Sequence, residues 1–87
     1  MKERTKTGLT MERLQSLLVL ASAEGFNNAR VRGKRSGARD LFVGLGVRPY
    51  EMNAADRTAV LRAYAAGWAK GVETLWEQAV AREDSKS

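Results

Sequence analysis

From Leu14 the apolar and small residues Leu17, Leu18, Ala21, Gly25 and Ala29 recur at steps of three and four. The same spacing returns in Val60, Tyr64, Gly67, Trp68, Gly71, Val72, Leu75 and Ala79. That period lines one face of an α-helix. No strand alternation, heptad seam or internal repeat of useful length accompanies it, so the pattern predicts an all-α protein built on two long helices. Thr10 reads as the N-cap of a first helix over about Met11 to Arg32, with Glu12 in the first turn and arginines in the last, as the helix dipole favours. Gly33 ends it. Asn53 or Asp56 caps a second helix running to about Ala81.

Between the helices lie two breaks. Gly33-Lys34-Arg35-Ser36-Gly37 reads as a glycine-bounded polar turn. Pro49 forces Arg48 out of the helical region, so residues 47–51 form an extended or turning connection. Residues 38–43, with Leu41 and Phe42, are long enough for a short middle helix.

Both long helices place small residues where a core normally holds large ones: Gly25 and Ala29 on the first, Ala63, Gly67 and Gly71 on the second. A glycine inside a helix costs about 1 kcal/mol against alanine, so glycines four apart signal a closely approaching backbone. The simplest partner is the other helix. The expectation is an antiparallel helical hairpin crossing near Gly25 and Gly67, with Leu14, Leu18, Val72 and Leu75 packed beyond the crossing. Residues 1–9 read as a flexible basic tail, 10–82 as one helical domain and 83–87 as a frayed end.

With 87 residues and neither cysteine nor histidine, the chain lacks thiol nucleophiles, imidazole bases and the usual transition-metal ligands. No cofactor, metal or enzymatic activity is expected. The longest apolar stretch, Leu17 to Ala23 with Ser22 interrupting it, falls far short of the roughly 20 residues that span a bilayer, and a cytoplasmic location is expected. Gly33-Lys34 is not a phosphate-binding loop, because Asn28 and Arg35 stand where that motif needs glycine and a hydroxyl residue.

Charge is the informative remainder. Between residues 25 and 48 stand Arg30, Arg32, Lys34, Arg35, Arg39 and Arg48 against Asp40 alone, a stretch that holds the whole formal excess of +5. Arginine suits bidentate phosphate contact and stacking on bases. Binding of a polyanion is therefore favoured over a merely solvated face, and RNA is the expected partner. Tyr50, beside Pro49, is the aromatic best placed to stack on a base; Phe26, Tyr64 and Trp68 at helical spacing read as core. Trp76 lies at the edge of the apolar stripe, where a half-buried surface tryptophan and a homodimer seam are equally good readings.

Three pieces of the chain resemble the ribosome modulation factors and their relatives, which include the CrpP-type proteins of plasmids and phages. Gly25-Phe26-Asn27-Asn28-Ala29 with Gly33-Lys34 is similar to the family's glycine-aromatic helix end and basic turn. Pro49-Tyr50-Glu51 is similar to its linker. Arg62, Tyr64, Gly67 and Trp68 resemble its second helix, with Gly71 one turn further on. Arg48 stands where the family pattern has asparagine, and residues 38–47 are an insertion. The resemblance implies two helices joined by a linker, binding of small-subunit ribosomal RNA, and modulation of translation by ribosome hibernation. The rival expectation is a phage- or plasmid-encoded interaction protein that inhibits a host nucleic-acid machine such as a defence complex, its partner a host protein complex.

Overall fold

The computed structural model describes residues 9–86, apart from the side chains of Arg32 and Lys86. Residues 1–8 of the expected basic tail lie outside them. The protein is all-helical: α1 (Met11–Asn27) continues through a π-helical turn (Asn28–Arg32), α2 spans Ala38–Leu45, and α3 spans Ala54–Lys86 after a 3-10 turn at Pro49–Glu51. Among the described residues, α2 is the short middle helix that residues 38–43 allowed between the two long ones, and it extends to Leu45.

Local chemistry accounts for the boundaries. The Thr10 side chain accepts the Arg13 N–H (3.1 Å) at the start of α1. Gly33, with φ of 67°, closes the π turn by donating its N–H to the Asn28 carbonyl (2.8 Å), and Gly46 ends α2 in the same left-handed conformation. Of the two candidate caps for α3, Asn53 performs that role by accepting the Asp56 N–H (2.8 Å). The helix runs to Lys86, beyond the expected end at Ala81.

The expected crossing is where the glycines stand. A Cβ on Gly25 would overlap the Tyr64 carbonyl and stand 2.8 Å from the Trp68 nitrogen; one on Gly67 would overlap the Ser22 carbonyl. The direction is the reverse of that expected. Ser22 meets Gly67, Phe26 and Ala29 meet Gly71, and Leu9 donates its N–H to the Asp56 carboxylate (3.3 Å), so the contacts advance together along both helices. α1 and α3 run parallel. The reason lies in the connection: α2 travels back along the pair, and Arg13 reaches from the start of α1 to the Gly46 carbonyl at the end of α2 (3.3 Å) and to Glu51 (3.7 Å). α3 therefore begins beside the start of α1, as a long crossover connection requires.

Leu14, Leu17, Leu41, Phe42, Val47, Met52, Val60 and Tyr64 form the core around which the three helices close. Leu9, assigned above to the tail, is also buried there. Leu75, expected against α1, is 38% exposed, because parallel packing leaves it past the end of α1. The Asp56 carboxylate, only 2% exposed, sits in the first turn of α3, where the helix dipole favours an anion, and ties down the chain entering α1. Asp56→Ala should lower stability by about 1.5–3 kcal/mol, the usual worth of a charged hydrogen bond. Urea denaturation measures it, and a loss under 0.5 kcal/mol, roughly that of a neutral surface change, contradicts the tethering role.

Candidate nucleic-acid interface

The π turn carries the geometry of the basic region. A π turn shifts the helical phase by one residue, and it turns Asn28 inward, leaving it 4% exposed. The Asn28 amide donates to the Tyr64 hydroxyl (2.7 Å) and to Ser36 Oγ (3.0 Å), while the Ser36 N–H donates to the same Tyr64 oxygen (2.7 Å). Residues 33–37 are thereby pinned to α3 at Ser36. The pinned residue is uncharged, and its neighbours Lys34 and Arg35 point outward, both exposed.

Around this anchor stand Arg30, whose guanidinium lies 5.4 Å from the centroid of the half-buried Phe26 ring, and Arg39, exposed in the first turn of α2. Among the described residues, none of Arg30, Lys34, Arg35 and Arg39 forms an ion pair. Asp40 follows Arg39 without pairing to it. The Arg32 backbone belongs to the π turn, and its side chain lies outside the described residues. Gly37 caps α2 with no side-chain acceptor, so the positive end of the helix dipole adds to the same potential.

Arg48 and Tyr50 are elsewhere. α2 separates them from the basic turn, which places the two groups at its opposite ends instead of on one shared corner. Arg48 donates to the Tyr50 hydroxyl (2.9 Å) and stands 5.9 Å from its ring centroid, and Tyr50 is 69% exposed. Pro49 opens the 3-10 turn that presents it. Gly25, Ala29, Gly67 and Gly71 are buried at the helix crossing, with Trp68 half-buried beside them, so these motif residues build the scaffold and leave the cations to form the surface.

Asn28 and Ser36 escaped the sequence reading as functional positions. Their contacts with Tyr64 span 36 and 28 residues, and a polar pair at that separation leaves no periodic trace. Burial pushes the Tyr64 phenol up, and the hydrogen bonds from Ser36 and Asn28 outweigh that, so it ionises below its ordinary value of 10.0. A depressed folded value means that the linked stabilisation is present above the unfolded pKa and is lost as pH falls through the folded one. Tyr64→Phe removes the shared acceptor and should cost about 1–3 kcal/mol at neutral pH, the penalty for stranding a buried donor. The deficit should widen as pH rises toward 10; urea denaturation across that range tests it, and a constant difference contradicts the assignment.

Among the described residues no group of histidine, cysteine, aspartate or glutamate is arranged to hold a metal ion, and no helix is long and apolar enough to cross a membrane. Comparison with models of known protein families, with curated proteins and with solved structures gives no match.

Proposed function

We propose that the protein binds RNA through the cations around the α1–α2 junction, and that its target is small-subunit ribosomal RNA, where binding modulates translation. The carrying observation is that Arg30, Lys34, Arg35 and Arg39 are exposed and, among the described residues, without ion-pair partners, on a backbone tied to α3 through Ser36. Unpaired cations on an ordered backbone give up little entropy or internal pairing when they meet phosphates. The choice of ribosomal RNA rests on the resemblance to ribosome modulation factors in residues 25–29, 33–34, 49–51 and 62–71.

Titration of a single-stranded RNA and of purified small subunits at rising salt tests both levels. Four phosphate contacts predict that log affinity falls with log salt at a slope of about 3, since each contact contributes roughly 0.7 to 0.9. Tyr50→Ala, away from the cation cluster, should weaken small-subunit binding several-fold and leave the salt slope unchanged, because stacking carries no counterion release. Absence of co-sedimentation with small subunits at low salt overturns the ribosomal target. Absence of salt-dependent RNA binding overturns the whole reading, and a partner from bacterial lysate that survives nuclease treatment favours a protein complex in its place.

A further inference from the structure

Beside the glycine crossing, α1 and α3 form a groove of about 650 Å³, within the roughly 300–1,000 Å³ of small-ligand sites. Val19, Ala23 and Phe26 wall it on α1, Ala66 and Lys70 on α3, and Gly67 lines it where the two backbones meet. Its two ends differ. Because the helices run parallel, with Ser22 beside Gly67 and Phe26 beside Gly71, Val19 lies at the far end, and Asn27 and Lys70 share the end nearest the π turn. Phe26, half-buried, joins that end to the cation cluster, since the Arg30 guanidinium lies 5.4 Å from its ring centroid. Lys70 is held only by an exposed pair with Glu73 at 3.7 Å, of the kind worth little in water. The groove is thus apolar along its length and cationic at the end that opens toward the candidate interface.

We infer that this groove receives one unpaired base of the bound RNA, with its flat face on Phe26 and its phosphate drawn to Arg30 and Lys70. The inference rests on the RNA reading above and narrows the ligand from RNA in general to RNA that carries an unpaired nucleotide. Charge complementarity selects the occupant, because a nucleotide joins a flat apolar face to an anion within one unit. A base also brings edge donors and acceptors to the exposed Asn27 amide, which makes no side-chain hydrogen bond among the described residues. An aliphatic ligand would cover that amide without a partner and leave both cations unused. A base in a duplex keeps its faces inside the stack and cannot enter, so the groove discriminates by pairing state.

Fluorescence titration of the full chain with two probes tests this: a short oligoadenylate, and an abasic ribose-phosphate chain of the same length. Both carry the same phosphates, so both should show the same salt slope. The oligoadenylate should bind about tenfold more tightly, within the range that stacking of one base on an aromatic ring provides. Phe26→Leu, which removes the ring, and Ala66→Met, which fills the groove from an exposed helical position, should each bring the oligoadenylate to within about threefold of the abasic chain. Neither should alter abasic binding or the salt slope. A variant that merely loosened the fold would weaken both probes alike, and that result overturns the groove as a base site. Equal affinity of wild type for the two probes at an intact salt slope overturns it too, while the RNA reading stands. Absence of salt-dependent binding of either probe overturns both.

Discussion

Gly67→Leu is expected to leave the chain without a cooperative thermal transition, and Gly67→Ala to lower stability by about 2–3 kcal/mol, near the upper end of overpacking costs. The first β-carbon is already too much. It would overlap the backbone carbonyl of Ser22, which cannot rotate away as a side chain would, and α1 must therefore retreat along the whole crossing. Alanine in a helix is otherwise preferred to glycine by about 1 kcal/mol, so a net loss means that the close approach of the two backbones outweighs helix propensity. Leucine adds further atoms at the same point. A domain of 87 residues has only about 4–13 kcal/mol to lose, at 0.05–0.15 kcal/mol per residue. Gly44→Ala is the control. Its β-carbon would meet nothing within 4 Å, its φ is not positive, and it lies within α2, so stability should rise by up to about 1 kcal/mol. Melting followed by circular dichroism measures all three. A Gly67→Ala variant as stable as wild type would falsify the backbone contact.

Replacing Arg30, Arg35 and Arg39 together by glutamine should weaken RNA binding about 200-fold at 0.1 M salt and flatten the salt slope by about 2 to 3. The figure follows from counterion release: a contact contributing about 0.8 to the slope is worth roughly sixfold between 1 M and 0.1 M salt, and three such contacts multiply. The fold should be unaffected, since all three side chains are exposed and none is in an ion pair among the described residues. Lys34 and Arg32 remain in the variant. Their residual attraction explains why some binding should persist at low salt. Fluorescence titration at several salt concentrations separates the outcomes: lower affinity at an unchanged slope would mean that these cations do not meet phosphates.

The glycines announced a close crossing because each is a helical cost with no local return, and the structure puts Gly25 and Gly67 at that crossing. The cations announced themselves by their concentration between residues 25 and 48. Their division into two groups did not, because it depends on where α2 lies: Arg48 and Tyr50 are near in sequence to the basic turn and distant in the fold. The Tyr64 anchor was invisible as well. A tyrosine at helical spacing reads as core, which it is at 3% exposed, and only the packed structure brings Asn28 and Ser36 to its hydroxyl.

The sequence by itself determined the all-α class, the start of α1, the glycine that ends its π-helical continuation, the Asn53 or Asp56 start of α3, and the small-residue faces that meet at the crossing. Those are local properties: periodicity, caps and glycine conformations act within a few residues. The tertiary structure alone decided that α1 and α3 run parallel, that Asp56 holds Leu9, and that Leu75, Trp76 and Val80 of α3 are left exposed. The pattern of small residues at i and i+4 is nearly symmetric under reversal of a helix, so it specifies contact without direction. Direction is set by the path of the connection, and here Leu41, Phe42 and Val47 bury themselves against the pair and carry the chain back to the start of α1 before α3 begins.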